Sequence, residues 1–120
     1  MSARRCVMTA SAMGLLYTTW PDAQSAETAA EAVLAEGLCA CVNILGESRS
    51  LFRWEGEMRS EREIIALFKT SAGKASALSD RIARLHPYDE PCIIDLAVSP
   101  EGSSDGFLAW VRGEAGARPG

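Results

Sequence analysis

The chain has 120 residues, 48% of them hydrophobic, and a formal net charge of −4 at pH 7. This length suits one compact domain with a core of its own. The acidic balance and the scattered Lys and Arg residues provide no basic field for nucleic acid, and the longest apolar run is far shorter than the roughly 20 residues of a membrane span. We therefore expect neither nucleic acid nor a membrane as a partner.

The first residues, MSARRCVMTASAMG, imitate a secretory signal because Arg4 and Arg5 precede a short apolar patch and an ASA tripeptide. The apolar part is too short for a signal peptide, and a longer one would include LLYTT, which has the composition of a strand. We therefore expect a cytoplasmic protein with free thiols. Its four cysteines lack the paired spacing of a zinc site: Cys6, Cys39, Cys41 and Cys92.

The first predicted elements are a strand and a helix. The segment LLYTTW at 15–20 is rich in β-branched and aromatic residues and predicts β1. Asp22 then supplies a helix cap, and apolar residues recur at intervals of three and four until Gly37. The pattern predicts helix α1 between Asp22 and Gly37.

A long hairpin and a second helix are expected next. We predict β2 at about 40–54, a turn at Glu55 and Gly56, and β3 at about 57–70. Ser71 is a candidate cap for helix α2, whose apolar residues at 75, 78, 82 and 85 share one face. Pro87 ends this helix because proline cannot continue it.

The last predicted elements are β4 at 92–99 and a short helix α3 at 103–113. The order βαββαβ with an extra C-terminal helix predicts an α+β, ferredoxin-like fold. We interpret residues 1–120 as a single domain with a folded core at about 14–112. The ends, 1–13 and 114–120, are interpreted as flexible tails.

Two features of the hairpin predict a homo-oligomer. Strands of about fourteen residues are more than twice the usual length, so the hairpin is expected to project beyond the helices. In β3, the segment EIIALF at 63–68 is apolar at consecutive positions, which indicates that both faces are covered, although helices can cover only one. We expect another subunit to cover the second face through sheet contacts; a monomer with a strongly coiled sheet is the alternative.

Several ordered motifs resemble the CutA divalent-cation tolerance proteins. They are ACVNI at 40–44, FRWEGE at 52–57, ALFKTS at 66–71, LHPYDEP at 85–91 and FLAWV at 107–111. The resemblance covers about residues 14–112. It implies a ferredoxin-like homotrimer in which long strands pair between subunits, an association with copper or other divalent cations, and an architecture related to PII-type signalling trimers.

His86, the only histidine in the chain, has two interpretations. It either ends α2, where an imidazole suits the helix dipole, or it binds a divalent ion together with Asp89 and Glu90. The resemblance favours the second role. Some relatives also carry a thiol at the end of β1 and a second histidine before the HPY motif; this sequence has Thr18 and Leu85 there, which weakens the case for copper.

The cysteines of the CxC segment are also ambiguous. Two strand positions that are two apart point the same way, so Cys39 and Cys41 would suit a soft ion such as Cu(I). Free cysteines are more often small buried hydrophobic residues, and the family motif extends only to Cys41. Taken together with the resemblance, these residues give three predicted metal ligands: His86, Glu90 and Cys41.

A second group of residues matches family positions near subunit clefts: Asn43, Trp54, Lys69 and Tyr88. A lysine in an apolar strand needs an ion pair, a bound anion or a snorkelling edge position. A strand asparagine needs a hydrogen-bond partner, for which another subunit suffices. No glycine-rich phosphate loop is present in the sequence to indicate a nucleotide.

The sequence gives catalysis little support. It has no GxSxG or HExxH motif and no second imidazole for acid–base work within one subunit. We expect a non-enzymatic, cytoplasmic homotrimer that binds or responds to divalent metal ions, has no organic cofactor and leaves room for a protein partner. Two alternatives stay open: a PII-like sensor that binds a small anionic metabolite in the intersubunit cleft, and a structural scaffold.

Overall fold

A computed structural model of the protein describes residues 13–116. Its elements follow the predicted order βαββαβα. The strands are β1 (Met13–Trp20), β2 (Cys41–Trp54), β3 (Glu57–Ser71) and β4 (Ile93–Leu96). The helices are α1 (Ala23–Ala35), α2 (Ala75–Leu85) and α3 (Asp105–Gly116). The α+β fold class is therefore confirmed, and most of the segments interpreted as tails lie outside the described residues.

The four strands form one antiparallel sheet in the order β2-β3-β1-β4. Strand β1 pairs with β3 along its whole length, from Met13 opposite Ser71 to Trp20 opposite Ile64. The β2–β3 ladder has an irregularity between Ile44 and Glu47, next to Gly46. Because β1 ends at Trp20, the outer half of the hairpin has no third strand beside it.

Alternation along β1 divides the core between the two faces of the sheet. Leu16 and Trp20 point towards α1 and α2 and pack in the larger core cluster. Met13 points the other way and packs against Leu108 and Val111 of α3. Helices α1 and α2 thus cover one face, and α3 covers only part of the other.

The hairpin projects beyond the helices, as predicted. At its outer end Leu51 and Met58 are 67% and 75% exposed. In the EIIALF segment, Ala66 and Phe68 are buried on the side of α1 and α2, while Leu67 on the opposite face stays partly exposed. The second face of β3 is therefore only partly covered within one chain.

Three local expectations differ from the structure. Ser71 makes no side-chain cap, because a 3-10 turn at Ala72–Lys74 precedes α2. Strand β4 is shorter than predicted, since its pairing with β1 covers only the residues opposite Leu15–Thr18. Helix α3 continues to Gly116, three residues past its predicted end.

Candidate functional site

His86 ends helix α2, as predicted, but its ring lies in the protein interior. Its backbone is extended, with φ −76° and ψ 140°, and its N–H donates to the Ile82 carbonyl at 2.9 Å. The residue is only 7% exposed. Since the ring is turned into the fold, His86 not only ends the helix but also packs in the protein interior.

Both nitrogens of the His86 ring have partners within the chain. Nε2 lies 2.7 Å from the Thr19 carbonyl oxygen, which only accepts hydrogen bonds, so Nε2 carries the proton. Nδ1 accepts a hydrogen bond from the Tyr88 backbone N–H at 3.1 Å. A metal ion at either nitrogen would therefore displace one of these bonds.

Aromatic contacts hold the same ring. The His86 ring stacks on Trp20, and the Tyr88 ring tilts against it with a centroid distance of 5.0 Å. The Trp20 indole Nε1 donates to the Thr18 hydroxyl at 2.6 Å, and that hydroxyl donates to the Ala66 carbonyl at 2.8 Å. The end of β1 and the start of the loop after α2 are thus joined by one buried polar and aromatic cluster.

This loop forms one wall of a groove of about 840 Å³. The groove lies on the sheet face opposite α1 and α2, where alternate residues of the outer hairpin point. It begins beside Tyr17 and Thr19 of β1 and extends over the hairpin. Its other lining residues are Ser50, Phe52, Trp54, Arg59, Glu61, Glu63, Pro87, Tyr88, Asp89, Glu90 and Cys92. We call this surface the loop–hairpin groove.

The loop–hairpin groove is aromatic and negatively charged. It has four rings and four carboxylates but one cationic side chain, Arg59, which also lies 3.6 Å from Glu57. Burial raises the pKa of Tyr88 first of all, and the charges of Glu63 and Glu61 raise it further. The electrostatic field at the Tyr88 hydroxyl is therefore unfavourable to a further negative charge.

The structure separates the predicted site residues into two places. Trp54, Tyr88 and Glu90 line the groove together. Asn43 and Cys41 lie at the start of β2, where Cys41 is opposite Lys69. These two positions and Lys69 do not contribute to the groove lining.

Lys69 has an aromatic neighbour. Its Nζ atom lies 5.2 Å from the centroid of the Phe107 ring of α3, within the range of a cation–π contact. This places Lys69 under the helix and away from Trp54 and Tyr88. The predicted cluster of four cleft residues is therefore not assembled within one chain.

The two cysteines of the CxC segment have different surroundings. Cys39 precedes β2 and is buried in the larger core, where its thiol lies 3.3 Å from the carbonyl oxygens of Cys41 and Lys69. Burial raises the pKa of the Cys39 thiol to about 11. Cys41 is half-buried, with Sγ 4.0 Å from Asn43 Oδ1. Cys39 thus suits the hydrophobic interpretation better than that of a metal ligand.

Two acidic residues of the groove were not selected from the sequence. Glu61 and Glu63 occupy alternate positions of β3 and therefore share a face with Arg59. Phe52 is directly opposite Arg59, and Trp54 is opposite Glu57. Applying the two-residue period to the whole predicted hairpin would have placed these charges beside Trp54.

The described residues show no group of three or more His, Cys, Asp or Glu side chains arranged to hold a metal ion. Within the same range, 13–116, no helix has both the length and the apolar character to cross a membrane. What the groove offers within one chain is a concave aromatic surface with several carboxylates around it.

Comparison with known proteins gives a consistent result. The family model described as CutA1 divalent ion tolerance protein matches residues 14–114. The divalent-cation tolerance protein CutA of Pyrococcus horikoshii is 39% identical over 99 residues, which cover 82% of this chain and 94% of that protein. The crystal structure of CutA from Xylella fastidiosa superimposes with a TM-score of 0.81 at 35% identity, covering 86% of this chain and 97% of that one.

Proposed function

The chain belongs to the CutA1 family of divalent ion tolerance proteins, and on this basis we propose that it binds divalent metal ions as a homotrimer without enzymatic turnover. The observation that carries the proposal is the family match over nearly all of the described chain. The excess of carboxylates in the loop–hairpin groove supports it, because such a surface raises the local concentration of cations.

Among the predicted ligands, Glu90 is best placed to meet a metal ion. It is exposed on the groove wall, whereas both ring nitrogens of His86 are already bonded within the chain. We assign His86 the task of positioning the loop that carries Glu90. Cys41 lies at the start of β2, so any ion that it binds occupies a separate site.

In the proposed homotrimer, Glu90 and ligands from a neighbouring subunit together form the metal site. Divalent ions such as Zn²⁺ need about four protein or water ligands that converge on one point. Copies of Glu90 and its neighbours at a subunit boundary would supply them. Copper is one candidate ion. Thr18 offers it no soft thiol, because its side chain carries a hydroxyl that is already hydrogen-bonded to Trp20 and Ala66.

Exposed apolar groups along the sheet edge support the homotrimer. Ile94 and Leu96 of the short edge strand β4 are 48% and 40% exposed, and Phe107 and Trp110 of α3 are also exposed. Strand β2 forms the other edge of the sheet. Edges of this kind are stabilised when another strand pairs with them, and repeated pairing of unlike edges closes a ring.

The anion-sensing alternative receives less support from the geometry. It requires Lys69 to act with Trp54 and Tyr88, but Lys69 lies over Phe107 and does not line the groove. The carboxylates beside Tyr88 would also repel a small anion. A purely structural scaffold is also compatible with the fold. The metal titration described below distinguishes this function from metal binding.

We also propose that the protein is cytoplasmic. The described cysteines, Cys39, Cys41 and Cys92, are all free thiols, which a reducing compartment maintains. A structural neighbour from Archaeoglobus fulgidus is described as a periplasmic divalent cation tolerance protein, so cell fractionation is the direct test. If the protein were found in the periplasmic fraction, the proposed cytoplasmic location would be rejected.

Calorimetric titration of Zn²⁺ and Cu²⁺ tests the proposed function. We expect the wild type to bind the metal ion, with a number of ions per oligomer that reflects sites shared by subunits. The Glu90→Gln variant is expected to bind the metal ion at least tenfold more weakly. Asp80→Asn, an exposed change on α2 outside the groove, removes the same charge and serves as the matched control. Absence of metal binding by an intact oligomer would reject the proposal and favour the scaffold.

A further inference from the structure

The outer hairpin carries opposite charges on its two faces. Side chains alternate along each strand, so Arg49, Arg53 and Arg62 lie on the face opposite the loop–hairpin groove, together with Glu47. Three arginines and one glutamate give this face a formal sum of two positive charges. We call it the basic face. The groove on the other face has an excess of carboxylates.

Two arginines of the basic face repel each other within the chain. Arg49 is directly opposite Arg62 in the β2–β3 ladder, and like charges in this arrangement destabilise a sheet. Arg49 Nε donates to the Ser60 hydroxyl at 2.9 Å, and Arg62 lies 3.7 Å from Glu47. Each guanidinium has five N–H donors, so both retain donors for a further anionic partner. We call Arg49 and Arg62 the arginine pair.

The groove has two carboxylates at the same level of the hairpin. Glu61 and Glu63 precede and follow Arg62 in the strand, so they lie on the opposite face, about 7 Å apart. Two long arginine side chains can span this separation, and guanidinium and carboxylate groups form strong paired hydrogen bonds. Arg59, the one cation among the groove-lining residues, already lies 3.6 Å from Glu57.

The two surfaces cannot meet within one chain, because they are opposite faces of the same hairpin. The outer half of this hairpin projects freely, since β1 ends at Trp20, opposite Ile64. A second copy of the chain supplies both a projecting basic face and a concave acidic groove. Two unlike surfaces that meet in this way form a heterologous contact, and repeats of such a contact close a ring.

We propose that the basic face of one copy lies over the loop–hairpin groove of the next, where its arginine pair binds Glu61 and Glu63 of that neighbouring copy. This inference rests on the proposed homotrimer and adds the surfaces that meet in it. The loop wall that carries Glu90 stays available to a metal ion. Met58, four residues from Arg62 and about 13 Å closer to the tip, lies outside the contact.

Charge reversal in the full chain, read by sedimentation equilibrium, tests this contact. Reversing the basic face with Arg49→Glu and Arg62→Glu is expected to weaken assembly at least tenfold. Reversing the groove with Glu61→Arg and Glu63→Arg should have a similar effect. All four substitutions in one chain exchange the charges of the two surfaces and should restore assembly. Circular dichroism shows whether each variant still folds.

A matched control separates this contact from an effect of net charge. Glu27→Arg and Glu31→Arg, both exposed on α1, return the reversed basic-face variant to the same net charge as the groove reversal does. These α1 changes should not restore assembly. Equal rescue by the α1 changes and by the groove reversal would reject the contact.

Carbodiimide cross-linking gives a second readout, which decides the matter if a reversed variant does not fold. Arg62→Lys supplies an amine, and we expect a covalent dimer joined through Glu61 or Glu63 of another chain, identified by peptide mass spectrometry. A trimer without this cross-link, or one unaffected by either reversal, would overturn the inference and leave the homotrimer intact. A monomeric wild type would reject the homotrimer itself.

Discussion

The imidazole of His86 stacks on the indole of Trp20, with ring centroids 4.2 Å apart and planes inclined by 27°. This contact joins the residue that ends α2 to the last residue of β1. Because the same imidazole also bonds to Thr19 and Tyr88, it fixes the loop after α2 against the sheet. The single histidine of the chain is therefore a structural link between the core and the groove.

Replacing His86 tests this link. His86→Ala removes the stacked ring and leaves the Thr19 carbonyl and Tyr88 N–H without partners. We expect a loss of about 2–4 kcal/mol in the free energy of unfolding, measured by denaturant titration. Asp89→Ala, an exposed change in the same loop, is the control and should stay within about 0.5 kcal/mol. Similar small effects for both variants would contradict the structural role.

Thr18 is expected to be more sensitive to the loss of its hydroxyl than to a change in shape. Its Oγ1 accepts from the Trp20 indole and donates to the Ala66 carbonyl. Thr18→Val keeps the volume but leaves both groups unpaired in the core, at a cost of about 1–3 kcal/mol. Thr18→Ser retains the hydroxyl and should cost less than Thr18→Val. The reverse order in thermal or chemical unfolding would show that methyl packing dominates.

Gly14 is required by close packing. A Cβ at this position would lie 3.0 Å from Ala75 Cβ and 3.2 Å from the Ser71 carbonyl oxygen, and neither neighbour can rotate away. Gly14→Ala should destabilise the fold by about 1–3 kcal/mol. Gly113→Ala in α3, where no atom lies within 4 Å of the new Cβ, should stabilise it by up to about 1 kcal/mol. Equal effects of the two variants on unfolding would contradict this packing.

The Cys39 thiol is expected to remain protonated well above neutral pH. Its pKa of about 11 in the folded protein exceeds the ordinary 9.0, chiefly through burial. The folded state thus holds its proton more tightly, so this contribution to stability is complete below pH 9 and is lost as the pH rises towards 11. At pH 8, iodoacetamide should modify Cys41 and Cys92 before Cys39, as read by peptide mass spectrometry. Early labelling of Cys39 in folded protein would refute its burial.

Trp54 is expected to contribute more to assembly than to the fold of one chain. Its side chain is 53% exposed at the outer end of β2. Trp54→Ala should therefore shift sedimentation equilibrium towards smaller species while changing circular dichroism little. Met58→Ala, which is exposed on the other face of the hairpin, provides the comparison. An unchanged oligomer for Trp54→Ala would exclude this residue from the subunit interface.

Much of the fold follows from local sequence patterns. The turn at Glu55 and Gly56 was predicted from the glycine near the middle of the hairpin segment, and Gly56 indeed has φ 81°, which glycine tolerates. Ser71 was a plausible cap, but the chain inserts a 3-10 turn before α2. The residue just before α2, Lys74, makes no side-chain cap either; its Nζ donates to the Gly37 carbonyl, just after α1, at 2.9 Å. A contact across 37 residues of chain cannot be inferred from neighbouring positions.

The candidate site was harder to predict than the fold. The loop that carries the motif around His86 forms one wall of the groove, and Trp54, Tyr88 and Glu90 line it together. The direction of the imidazole depends on Thr19, which is 67 residues away in sequence. Lys69 belongs to the same strand as Glu63 but lies beyond the end of the groove, against α3. Distances along the strand and contacts between distant segments, which motifs do not encode, decide which residues meet.

The most direct test of the central claim is long-range ¹H–¹⁵N NMR of the His86 imidazole, recorded with and without Zn²⁺. The single histidine makes the spectrum unambiguous. We predict one neutral tautomer with the proton on Nε2, and no change in either ring nitrogen while Zn²⁺ binds elsewhere. A Zn²⁺-dependent shift that identifies a ring nitrogen as a ligand would contradict the assignment of His86 as the residue that positions the loop.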